Sequence, residues 1–135
     1  MQPSPAQFAK SYRAMAISTA TPGQLILMLY DGALRSTAIA INGFQEPDLA
    51  RRYEIISNNL VKAQEILREL QVSLDLRVPG GFSQRMWALY DYYIDQLQQA
   101  NLRKDPEPIR VVERLLGKIR DAWAEMLNRS VSRAA

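Results

Sequence analysis

The sequence predicts an all-α protein, an antiparallel up-down-up-down four-helix bundle with an N-terminal apolar cap segment. Three observations predict it. Apolar residues recur at steps of three and four; breaks rich in proline, glycine and acidic residues divide the chain into stretches of similar length; and period-two alternation is missing over any useful length. The opening stretch, residues 1–20, carries Phe8, Tyr12 and Met15 at helical spacing among prolines and small residues. Such a short stretch folds only by docking its apolar stripe on something. Thr21, Pro22, Gly23 and Gln24 then read as an N-cap, a proline at the first helical position and a capping-box glutamine, which starts a first helix expected over 22–44. Gln45 to Asp48 breaks it, and a second helix is expected over 48–74. Its apolar positions Leu49, Tyr53, Ile56, Leu60, Ala63, Leu67, Leu70 and Leu74 advance by alternating fours and threes. Asp75 to Ser83, with Pro79, Gly80 and Gly81, is the next break. A third helix over 82–103 carries Phe82, Met86, Leu89 and Tyr93 on one stripe, with Tyr90, Ile94 and Leu97 beside it. Asp105 caps and Pro106 opens a fourth helix over 106–129, where Ile109, Val112, Leu116, Ile119, Trp123 and Met126 form the core stripe. Residues 131–135 are expected to be a frayed tail. At a rise of about 1.5 Å per residue the four rods match in length, roughly 35–40 Å, and their short connections favour antiparallel neighbours.

Composition removes most chemistry. The chain has 135 residues, 47% hydrophobic, which suits one compact domain. It has no Cys and no His. Thiol nucleophiles, disulfides, imidazole bases and Cys/His zinc sites are therefore excluded by residue type. No enzyme activity, cofactor or metal is expected. The net charge of +3 is thinly spread, and the basic pairs Arg51, Arg52 and Arg103, Lys104 stand apart. Nucleic-acid binders gather charge into a stripe, so no nucleic-acid partner is expected. The start lacks a charged-then-apolar signal layout, and the strongly apolar run Leu25 to Tyr30 stops at Asp31. No export signal or membrane span is expected, which points to the cytoplasm.

The first helix is apolar on two faces. Leu25, Leu29, Gly32 and Ile39 occupy one stripe; Ile26, Tyr30, Ala33, Ile41 and Phe44 occupy another. The surplus is absorbed either by a central, heavily buried helix or by an external groove. Gly32, mid-helix, costs roughly 1 kcal/mol relative to Ala, which close helix packing or approach of a partner's backbone would explain. Neighbouring helical side chains diverge by about 100°, so Tyr90, Tyr92 and Tyr93 cannot share one face and at least one looks outward. Ile66 lies off the second helix's stripe. Asn101 either caps the third helix or binds a partner's backbone, and Asp31 is either solvated or an anchor across the bundle. Glu65 and Glu69, four apart with Arg68 between them, read as a solvated face rather than a catalytic pair. The groove candidates are Leu25, Met28, Leu29, Tyr30, Asp31 and Ala33 on the first helix, Ile66 and Leu70 on the second, and Tyr90, Tyr92, Tyr93 and Asn101 on the third.

Four ordered blocks carry a resemblance. TATPGQLILMLYDGALR in the first helix, NNLVKAQEILRELQVSLDL in the second, ALYDYYIDQLQQANLRKD in the third and LLGKIRDAWAEML in the fourth resemble the successive blocks of the flagellar export chaperone family FliS. The resemblance covers about Ser11 to Leu127. It implies a non-enzymatic helical bundle that binds the disordered C-terminal segment of flagellin, hides its polymerising surface and engages the flagellar export gate protein FlhA. It also implies an N-terminal segment that covers part of the client groove, here formed by Phe8, Tyr12, Met15 and Ile17. As free protein a monomer or weak homodimer is expected. The reading from a different class is a bundle adaptor or regulator that self-associates through its surplus apolar surface.

Overall fold

A computed structural model describes residues 19–134, with side chains through residue 131. Among the described residues the regular structure is helical: α1 Pro22–Gly43, α2 Leu49–Val72, α3 Phe82–Arg103 and α4 Glu107–Ala134. The N-cap chemistry forms as the sequence requires. Thr21 Oγ1 accepts from the Gln24 amide at 3.2 Å while Gln24 Oε1 accepts from the Thr21 amide at 2.9 Å, closing a reciprocal capping box. Asp48 caps α2 by accepting from the Arg51 amide at 2.9 Å. Gly80 and Gly81 sit at positive φ, which turns the chain into α3 without a Cβ penalty. At the far end of α3 the left-handed position is held by Lys104, with φ 50°. Asp105 then accepts from the Glu107 amide at 3.0 Å and starts α4.

The helices form a ring in which α1 packs on α2 and α4, and α3 packs on α2 and α4. Their directions follow from the cross-contacts. Gly43 lies against Ile55 and Gly32 against Ile66, so α2 runs back along α1. Ser57 pairs with Asn101 and Gln71 with Asp91, so α3 runs back along α2. Gly23 meets Leu127 and Asp31 meets Arg120, so α4 is antiparallel to α1. The all-α bundle with up-down-up-down order is therefore the observed architecture.

The core is the middle of each stripe. Ile56, Leu60, Ala63, Leu67 and Leu70 from α2, Tyr90, Tyr93 and Leu97 from α3, and Ile109, Val112 and Leu116 from α4 are buried. From α1 it is the stripe through Tyr30, Ala33 and Ala40 that is buried, with Ile26, Ile41 and Phe44 packed against it. The stripes end sooner than their spacing suggests. Leu49 and Tyr53 at the start of α2, Phe82 at the start of α3 and Met126 near the end of α4 are exposed, because a terminal turn has no facing helix on all sides. The fourth helix also differs from expectation. It extends to Ala134, past the expected helix end at 129, and no glycine or proline occurs after Arg129 to stop it.

Candidate functional site

The candidate surface is built from what the core leaves outside. Of the candidates on α1, Tyr30 and Ala33 are interior, as are Leu70 on α2 and Tyr90 and Tyr93 on α3, all 3% exposed or less. In this structure those five groove candidates are not on the surface. The physical reason is that α1 and α3 face one another across the core, where the Tyr30 and Tyr90 hydroxyls meet at 2.5 Å. Each phenol finds its polar partner in the other, which makes burial of both affordable in hydrogen-bond terms. Burial pushes both phenols above the usual tyrosine range, and lifts Tyr93 to about 12. The Tyr30 ring also packs edge-on against Trp123, with centroids 6.5 Å apart.

Asp31 is an anchor. Its Oδ1 accepts from Arg120 Nε at 2.7 Å, and its Oδ2 from Arg120 Nη2 at 3.5 Å, tying α1 to α4. Hydrogen bonding and the carboxylate charge of Asp31 raise the Arg120 guanidinium above its ordinary value. One turn along α4, Trp123 Nε1 donates to the Gly23 carbonyl at 2.9 Å, a second polar tie across the α1/α4 seam. Asn101 neither caps α3 nor stands free: it accepts from Ser57 at 2.9 Å and from the Lys104 ammonium. Lys104 also donates to Ser57 at 3.0 Å and sits 5.3 Å from the Tyr53 ring centroid. Desolvation there lowers the Lys104 pKa below its ordinary value.

The candidates that do reach the surface are separated. Leu25 is exposed, while Met28, Leu29 and Ile66 are half-buried. Leu25, Leu29 and Gly32 share the stripe that faces α2, and a Cβ on Gly32 would lie 3.3 Å from Ile66 Cδ1. Close packing of α2 on α1 thus accounts for the glycine. Exposed Ile39 continues this stripe toward a shallow depression of about 350 Å³ bordered by Asn42, Pro47 and Ile55. Tyr92, 45% exposed, is on the outward side of α3, away from that stripe. It is the outward member of its tyrosine cluster.

A second row was not anticipated. Tyr53, Ser57 and Val61 follow one another at four-residue steps on α2, and Ser57 places that row beside α3. From α3, Trp87 flanks the same seam, its carbonyl bonded to Gln71. Tyr53, Val61, Trp87 and Leu102 are all exposed. The available signal was the apolar identity of Val61 and Leu102 at positions outside the heptad stripes; Tyr53 was concealed by fitting its stripe. Glu65 and Glu69 are exposed and form no metal cluster, and no group of metal-ligating residues occurs among the described residues. No described helix is long and apolar enough to cross a membrane. Phe8, Tyr12, Met15 and Ile17 lie outside the described residues.

The chain matches the family model for flagellar protein FliS over residues 5–130. It is 37% identical over 117 residues to the flagellar secretion chaperone FliS of Bacillus subtilis, covering 87% of this chain and 84% of that one. Against the flagellar secretion chaperone FliS of Salmonella typhimurium the identity is 38% over 112 residues, with 82% and 80% covered. Against that of Escherichia coli it is 36% over 113 residues, with 83% and 80% covered.

Proposed function

Because the chain belongs to the FliS family of flagellar secretion chaperones, we propose that its client is the disordered C-terminal segment of flagellin, held in the cytoplasm until delivery to the export gate protein FlhA. The observation that carries this reading is the shape of the exposed apolar surface. Part of it runs in rows along helix seams, Leu25 to Ile39 on α1 and Tyr53, Val61 and Trp87 between α2 and α3, with Leu102 and Tyr92 exposed outside them. A small-molecule site would instead gather its apolar lining into one enclosed pocket.

A long disordered segment suits such rows. Fixing its backbone costs roughly 1–2 kcal/mol per residue, so the surface must return comparable energy over many residues. Apolar and aromatic side chains do this at about 25 cal/mol per Å² buried, without demanding one sequence. Dispersed contacts also let the client leave in steps at the gate rather than against one large barrier. Burying the segment's apolar face hides the surface through which filament subunits pack. The residues before Thr19, with Phe8, Tyr12, Met15 and Ile17, act as an internal competitor for part of that surface.

Calorimetric titration with a flagellin C-terminal peptide tests the reading. One-to-one binding with a clearly negative heat-capacity change is expected. Trp87→Ala and Tyr92→Ala, both at exposed positions, are each expected to weaken it by about tenfold, the usual scale for an aromatic anchor. A titration without heat at any temperature, with the bundle folded, removes the client assignment.

A further inference from the structure

Three polar contacts recur at seven-residue intervals along the α2/α3 seam. Ser57 Oγ donates to Asn101 Oδ1 at 2.9 Å. Gln64 Nε2 donates to the Ile94 carbonyl at 3.1 Å and to Gln98 Oε1 at 3.3 Å. Gln71 Nε2 donates to the Trp87 carbonyl at 3.1 Å and to Asp91 Oδ1 at 2.7 Å. Seven residues forward on α2 are matched by seven back on α3. The two glutamine contacts are therefore one device used twice: an amide on α2 grips a backbone carbonyl of α3 and the side chain four residues beyond it.

Stability does not explain the choice of glutamine. Gln64 and Gln71 are each 6% exposed, and burying an amide is costly unless its hydrogen bonds are kept. Leucine, of similar size, would add apolar burial at no such cost. What glutamine adds is direction. Helix α3 carries two adjacent apolar stripes, one through Met86, Leu89 and Tyr93, the other through Tyr90, Ile94 and Leu97. An apolar arc that wide lets a helix rotate and still bury oily groups, since apolar contact has no preferred orientation. A donor aimed at one carbonyl tolerates little rotation or sliding.

We propose that Gln64 and Gln71 are positioning residues that set the rotation and register of α3 against α2, at a cost in stability, and so decide that Tyr92 rather than Tyr90 or Tyr93 faces water. Buried polar residues in two-stranded coiled coils act in this way, specifying one alignment while lowering stability. The inference concerns the bundle itself and stands whether or not flagellin is the client.

The absence of native cysteine permits spin labels at Glu65→Cys on α2 and Asp95→Cys on α3, both exposed positions, with the interlabel distance read by pulsed dipolar spectroscopy. With both glutamines present, a single narrow distance is expected. In the Gln64→Leu, Gln71→Leu double variant the distribution is expected to broaden or split while the denaturant midpoint stays level or rises. A double variant that keeps the single narrow distance overturns the proposal, whatever its stability. Should that variant not fold, Gln71→Leu alone is labelled in the same way with a cysteine at Glu69 in place of the one at Glu65. Broadening supports the proposal there, and an unchanged narrow distance overturns it.

Discussion

At the scale of single residues, two glycines of α1 show how one missing methyl group has different meanings. A Cβ on Gly32 would lie 3.3 Å from Ile66 Cδ1, the free end of a half-buried side chain that can swing aside. Alanine there also recovers the helix propensity that glycine gives up, about 1 kcal/mol. Gly32→Ala is therefore expected to change stability by no more than about 0.5 kcal/mol, with the sign favouring the variant, because the propensity gain offsets the tight contact. Gly43 is buried at the end of the helix, and its Cβ would come within 2.8 Å of Ile55 Cγ2 and 3.3 Å of Ile56 Cγ1. Both neighbours are β-branched and stiff at χ1, so the backbones must part. Gly43→Ala is expected to cost about 1–3 kcal/mol, the range for overpacking. Urea denaturation of the two variants side by side checks both signs, and equal midpoints would mean that the α1/α2 approach is not the constraint at Gly43. Gly32 was noticed in the sequence because mid-helix glycine is costly; Gly43 passed as an ordinary helix end, since only the fold brings Ile55 against it.

At the scale of elements, helix starts were more legible than helix ends. The Thr21 capping box, the Asp48 cap and the Asp105 start are local chemistry, complete within four residues, and each forms where its residues stand. Ends depend on what lies opposite. Tyr53 and Leu70 belong to one α2 stripe, yet Leu70 is sealed and Tyr53 is 43% exposed, because periodicity states which face is apolar and not how far the neighbouring helix extends. The same limit explains the site. Tyr30, Tyr90 and Tyr93 looked like binding candidates because aromatic surplus is visible in a sequence, whereas the hydroxyl pairing that lets Tyr30 and Tyr90 share the interior is a contact between residues sixty apart. Local chemistry also yields the element-level prediction. Thr21→Ala removes one half of the reciprocal cap and leaves the Gln24 amide to water, which is expected to cost about 1 kcal/mol. Because Trp123 Nε1 donates to the carbonyl of Gly23, two residues into α1, the loss should also loosen the α1/α4 seam. Hydrogen exchange would show this as faster exchange over the first turn of α1 and at the Trp123 indole. Unchanged exchange at the indole would mean that the seam is held by the Asp31–Arg120 pair without help from the cap.

At the scale of the whole molecule, the ring of helices separates two kinds of seam. The α1/α4 seam is locked by the Asp31–Arg120 pair and the Trp123 indole, whereas the rows on α1 and along α2/α3 leave large apolar groups in water. A free chain with such rows has two outcomes available to it: it self-associates through them, as an adaptor would, or it covers them from within until a client arrives. The opening residues carry an apolar stripe of their own, Phe8, Tyr12 and Met15 with Ile17 beyond, which on the second outcome competes with the client for part of the surface. Competition of this kind has a definite size, because apparent affinity falls in proportion to the fraction of time the surface is open. A chain beginning at Thr19 is therefore expected to bind the flagellin C-terminal peptide about three- to tenfold more tightly than the full chain, the range for a surface open between about a third and a tenth of the time. It should also bind an apolar dye more strongly, while sedimenting as a monomer when dilute. Stronger dye binding together with oligomers that persist when the peptide is added would identify self-association as the use of the rows. Unchanged dye and peptide binding would show that the opening residues do not compete for these rows at all.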